Sequence, residues 1–136
     1  MKIKTVSGGI LAVLVLMGNA HADEIKCPPF SAIREAAEQG ENSKQIKYTA
    51  PAAGNRKWTG VILKSEQNHR KDLRFIEATI RSRPTGGYFV ACDYAGSEEG
   101  GLRMTLPTNA RPLPAGDNWD MTCTEKDPEQ CILDLQ

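Results

Sequence analysis

Apolar and polar positions alternate with period two over much of the second half of the chain. Leu102, Met104 and Leu106 alternate with Arg103 and Thr105, the pattern of a half-buried strand. Tyr88, Val90, Cys92 and Tyr94 share one strand face, and Phe89, Ala91 and Asp93 take the other. Trp119, Met121 and Cys123 alternate with Asp120 and Thr122. Trp58–Leu63 reads as a strand apolar on both faces, and Ile46–Thr49 as a short strand. Leu73–Ile80 is a further strand, in which the adjacent Phe75 and Ile76 break the alternation and mark a bulge.

Before these strands the period is helical. Phe30, Ile33 and Ala37 follow Pro28-Pro29, and Gly40 supplies a stop, which predicts a short helix over 30–39. Its cap is weak, because no Glu or Gln stands three residues after Ser31. Pro51–Gly54, Pro84–Gly87 and the proline-rich stretch 107–118 read as turns and loops. The expected fold is α+β, mainly β: an antiparallel meander, or a small sandwich or barrel, with one short N-terminal helix.

The first 22 residues have a different character. Lys2 and Lys4 precede the apolar run Gly9–Met17, and Ala20-His21-Ala22 is a small-x-small cleavage pattern. The apolar run is shorter than the ~20 residues a membrane span needs. We read residues 1–22 as a cleaved Sec-type bacterial signal peptide and 23–136 as a single globular β-rich domain, periplasmic or secreted. The competing reading is a retained anchor. Lipid attachment is disfavoured, because Glu24-Ile25-Lys26 before Cys27 is not a lipobox.

All four cysteines, Cys27, Cys92, Cys123 and Cys131, lie after the signal. An even count in an oxidising compartment predicts two disulfides, for which three connectivities exist. The preferred set joins Cys123 to Cys131 across a local loop and Cys27 to Cys92 across a long one. Structural zinc is disfavoured, since no Cys-x-x-Cys is present and only His69 remains as a mature histidine. No metal or cofactor is expected.

Several short motifs resemble a family of small exported proteobacterial proteins that share a domain of unknown function. They are Cys27-Pro28 after the signal, Trp58-Thr-Gly60, Phe75-x-x-Ala78 and Cys92-x-Tyr94. The resemblance implies export and a compact β-rich domain, and carries over no catalytic residue.

Catalytic chemistry has few footholds. His69, in the polar stretch Asn68–Lys71, has no nucleophile signature beside it and reads as a loop histidine. Glu98-Glu99 lie together in a glycine-rich hairpin loop, whereas glycosidase carboxylates sit on separate elements flanking a cleft. Asp93 and Ser97 are near enough to suggest calcium, but the regular calcium-loop spacing is missing.

Charge distribution carries the functional reading. The chain has 17 basic and 17 acidic side chains. Loss of Lys2 and Lys4 leaves 15 basic against 17 acidic, too near neutral for a dedicated nucleic-acid binder. Residues 56–83 carry eight basic and three acidic side chains, and 84–136 carry three and nine. Either the fold keeps these poles apart, or strands of opposite sign pair and cancel them. The expected function is a non-catalytic binding protein of the cell envelope: an inhibitor, an immunity-type neutraliser or an accessory subunit. Its partner would be an envelope or secreted protein, or an anionic glycan. The contact residues expected are Arg56, Lys57, Trp58, Arg70, Lys71 and Arg74, although Trp58, like Trp119, taken singly reads as a core residue. The alternative is a small envelope-polymer hydrolase working through carboxylates.

Overall fold

A computed structural model of the chain describes residues 24–41, 43–98, 100–116 and 118–135; the signal segment lies outside them. Ten strands follow in order: β1 (Glu24–Lys26), β2 (Arg34–Glu35), β3 (Gln45–Pro51), β4 (Lys57–Leu63), β5 (Arg74–Ser82), β6 (Tyr88–Ala95), β7 (Leu102–Thr108), β8 (Leu113–Pro114), β9 (Thr122–Cys123) and β10 (Ile132–Asp134). They form an antiparallel seven-stranded sheet, β2-β3-β4-β7-β6-β5-β9, and a three-stranded one, β1-β10-β8.

The large sheet contains two meanders, β2-β3-β4 and β5-β6-β7, joined by the 3-10 segment Lys64–Asp72. That connection carries the chain past two strands, so β7 rather than β5 lies beside β4, a Greek-key order. Gly60 permits this junction. A Cβ there would collide with the Arg103 carbonyl and stand 2.8 Å from the Met104 sulfur.

Alternation decides which side chains enter the core. Ile46, Tyr48 and Ala50 of β3, Trp58 and Ile62 of β4, Leu102, Met104 and Leu106 of β7, and Val90, Cys92 and Tyr94 of β6 all face inward. Ile25, Leu133 and Leu135 close the same core from the side of the small sheet. The β5–β6 register shifts between Phe75 and Glu77, so Ile76 is extruded and 45% exposed while Phe75 and Ala78 both stay buried. This is the bulge expected from the broken alternation.

Both disulfides have the preferred pairing, Cys27–Cys92 and Cys123–Cys131. Each links the large sheet to the segment leading out of or into the small one. Two disulfides are consistent with an extracytoplasmic protein. Among the described residues, no helix is long and apolar enough to cross a membrane.

The structure corrects three segments. Residues 30–39 hold no α-helix: Phe30–Ala32 make one 3-10 turn without a side-chain cap, and Arg34–Glu35 pair with Thr49 and Tyr48. Here an open sheet edge offers backbone partners that a weakly capped helix cannot match. Gln39 then completes the strap: its side-chain amide bonds Lys47 N–H and C=O at 2.9 Å each. Of 119–123, only Thr122–Cys123 is strand. Met121 adopts φ 64°, and Asp120 and Thr122 exchange both backbone hydrogen bonds around it. Within the expected loop 107–118, Leu113–Pro114 adds a short strand to the small sheet.

Candidate binding groove

The outward positions of the large sheet carry a row of threonines. Successive pairs place Thr49 beside Thr59, Thr59 beside Thr105, Thr105 beside Ala91, Ala91 beside Thr79, and Thr79 beside Thr122. The small Ala91 is wholly covered, although it lies on the outer face.

Over β3, β4 and β7 this row floors a groove of about 1010 Å³. Thr49, Thr59, Thr105 and Val61 form the floor, and the 36–38 strap forms a wall. Three cations line it: Lys47 on β3, Lys57 on β4 and Arg103 on β7. Their positions follow from the pleat, which turns every second residue away from the core. Arg103 is engaged in a two-pronged pair with Asp93, Nε to Oδ1 at 2.7 Å and Nη2 to Oδ2 at 3.0 Å. The hydrogen bond to Asp93 raises the Arg103 pKa further, and Glu77 adds to it from beyond Asp93. Neither Lys47 nor Lys57 has a carboxylate partner among the described residues. The single carboxylate in the lining is Glu38, on the strap.

The six expected contact residues do not form one surface. Lys57 lies in the groove, and Arg56 precedes it at the hairpin end, in a smaller hollow with Arg83 and Asn109. Trp58 is withdrawn from the contact set: its ring is 1% exposed, turned into the core by the alternation that turns Lys57 outward. Arg70 and Lys71 belong to the 3-10 segment at the other end of β4, about 20 Å away at strand rise. Arg74 is exposed at the start of β5, opposite Ala95.

The charge poles interleave. Strands β4 and β5 of the basic stretch enclose β7 and β6 of the acidic one, although the facing charges are the like pair Glu77 and Asp93 and the pair Asp93 and Arg103 within the acidic stretch. The loop after β6 packs on the 3-10 segment, where the Asp72 carboxylate accepts from the Ser97 amide at 3.0 Å and from the Ser97 hydroxyl. These bonds, the hydroxyl's first, hold the Asp72 pKa below the ordinary carboxylate value. Glu99 and the His69 side chain lie outside the described residues. No cluster of three or more metal-ligating side chains occurs among the described residues.

Sequence reasoning missed Lys47, Arg103 and the threonines. Their signal was present as Lys47-x-Thr49, Lys57-x-Thr59-x-Val61 and Arg103-x-Thr105, each the polar half of an alternating strand. Compared with protein-family models, curated proteins and solved structures, the chain matches none.

Proposed function

We propose that this is an exported, non-catalytic binding protein of the bacterial cell envelope that receives an acidic, extended segment of a partner protein in the outer groove. One observation carries the reading: Lys47 and Lys57 flank a threonine floor without carboxylate partners among the described residues. A lining with two unpaired cations and one carboxylate favours an acidic occupant. The hydroxyls of Thr49 and Thr59 offer hydrogen bonds to its backbone or carboxylates. A carboxylate-pair hydrolase would need two acids facing one cleft, and the groove supplies Glu38 alone. Inhibitor, immunity-type and accessory-subunit roles all use such a surface.

Retention of partners from an envelope extract by immobilised, oxidised protein tests the reading. The expected partner elutes with salt, is lost by Lys47→Glu/Lys57→Glu and is kept by Arg74→Glu. A partner kept by the double variant contradicts the groove as the contact surface. Retention of anionic polysaccharide in place of protein contradicts the assigned partner class.

A further inference from the structure

A second recess lies at the opposite end of β4, where Phe30, Glu35, Tyr48, Gln67, Arg70 and Lys71 line a volume of about 530 Å³. The Arg70 guanidinium is clamped between two rings, 4.9 Å from the centroid of Phe30 and 4.8 Å from that of Tyr48. Its Nη2 donates to the Ile33 carbonyl at 2.8 Å, which fixes the fork. Two buried donors beside it have no acceptor among the described residues: Arg70 Nε–H and the Tyr48 hydroxyl. Tyr48 is 1% exposed. Burial raises its pKa, so the hydroxyl keeps its proton and is free to donate to an incoming acceptor.

A buried donor without an acceptor is destabilising, and a pre-oriented guanidinium with an unpartnered Nε–H against the ring of an unpartnered tyrosine hydroxyl is the arrangement of a binding site awaiting an acceptor. We propose that this recess binds a monocarboxylate carrying a small apolar body. The planar carboxylate accepts from Arg70 Nε–H and the Tyr48 hydroxyl, and Lys71 adds positive charge at the rim. Phe30, partly buried, supplies the apolar wall. Glu35 sets the class: its carboxylate repels a phosphate dianion more strongly than a singly charged acid. Both donors are buried, and the exposed Gln67 side chain lines the recess beside them. A single 3.2 Å hydrogen bond to Glu35 holds it. The recess and the groove have Tyr48 in common and otherwise separate linings.

The test is a titration of the oxidised protein with phenylacetate, acetate and inorganic phosphate, following the Arg70 Nε–H resonance by NMR. Phenylacetate is expected to saturate the shift at lower concentration than acetate, and phosphate to leave it unchanged. Tyr48→Phe keeps the ring against Arg70, so it is expected to melt no lower than wild type while binding phenylacetate about tenfold more weakly. A shift that never saturates with either carboxylate overturns the proposal. So does unchanged affinity in Tyr48→Phe, or tighter binding of phosphate than of phenylacetate.

Discussion

The Tyr94 hydroxyl donates a hydrogen bond to the carbonyl of Pro28, one residue beyond the Cys27 that is bonded to Cys92. Cys92 and Tyr94 stand two residues apart on the inner face of β6, so the strand holds the Cys27-Pro28 segment by a covalent bond and a buried hydrogen bond together. Phe75 packs edge-on to the Tyr94 ring and fixes it. Tyr94→Phe keeps the ring and strands the Pro28 carbonyl. It is expected to cost about 1–3 kcal/mol in denaturant unfolding of the oxidised protein. No loss would mean that the hydroxyl does not hold the segment.

The two disulfides close loops of different length, with sequence separations of 65 and 8. In the chain-entropy account they contribute about 4 and about 2.5 kcal/mol. Cys27→Ala/Cys92→Ala is therefore expected to lower the unfolding free energy more than Cys123→Ala/Cys131→Ala. Equal losses would contradict an origin in loop closure.

Met121 is 91% exposed and sits at φ 64° in a two-residue bridge. Its side chain gains almost no burial to offset a left-handed backbone that costs an L-residue about 1 kcal/mol. Met121→Gly is expected to raise the melting temperature, a change calorimetry reads directly. A lower one would mean that the methionine makes a stabilising contact.

Gly60→Ala tests the β4–β7 junction. The added methyl meets the Arg103 carbonyl, which is backbone and cannot swing away. Overpacking of this kind costs roughly 3 kcal/mol. Near-wild-type stability would show that β4 does not approach the β7 backbone closely at Gly60.

Asp72 supplies a pH dependence with a definite sign. Its pKa is lowered in the folded state, chiefly by the Ser97 hydroxyl. The stabilisation that its bonds to Ser97 give is therefore present above the ordinary carboxylate pKa and lost as pH falls through the lowered one. The protection of the Ser97 amide against exchange, relative to its intrinsic rate at each pH, should fall in that acid window. Asp72→Asn should show fast exchange at neutral pH and no such window.

Local order was legible in the sequence where a residue's neighbours along the chain determine its face. The alternation in 88–94 and 102–106 and the bulge at Phe75-Ile76 are of this kind; the cysteine count predicts two disulfides, but Cys27 and Cys92 stand 65 residues apart and spacing alone does not choose among the three connectivities. The strap at 34–39 was not, because its partner is the edge of β3 and its own spacing is helical. Nor was Met121, where a tight bridge inside an alternating pattern turns the side chain to solvent. The groove was hidden for a related reason: Thr59 and Thr105 are 46 residues apart, and only the crossover between β4 and β5 brings them together. A run of basic residues along the chain suggested one contact surface, but β4 places its members at opposite ends.

The central claim is that Lys47 and Lys57 receive an acidic segment. The most direct measurement is fluorescence anisotropy of a labelled extended peptide with alternating Glu and Thr, titrated with the oxidised protein. Its counterpart with Gln for Glu is titrated in parallel. The account predicts saturable binding of the Glu peptide, weakened by salt, and abolished in Lys47→Glu/Lys57→Glu, with little binding of the Gln peptide. Equal binding of both peptides, or full binding by the double variant, would contradict it.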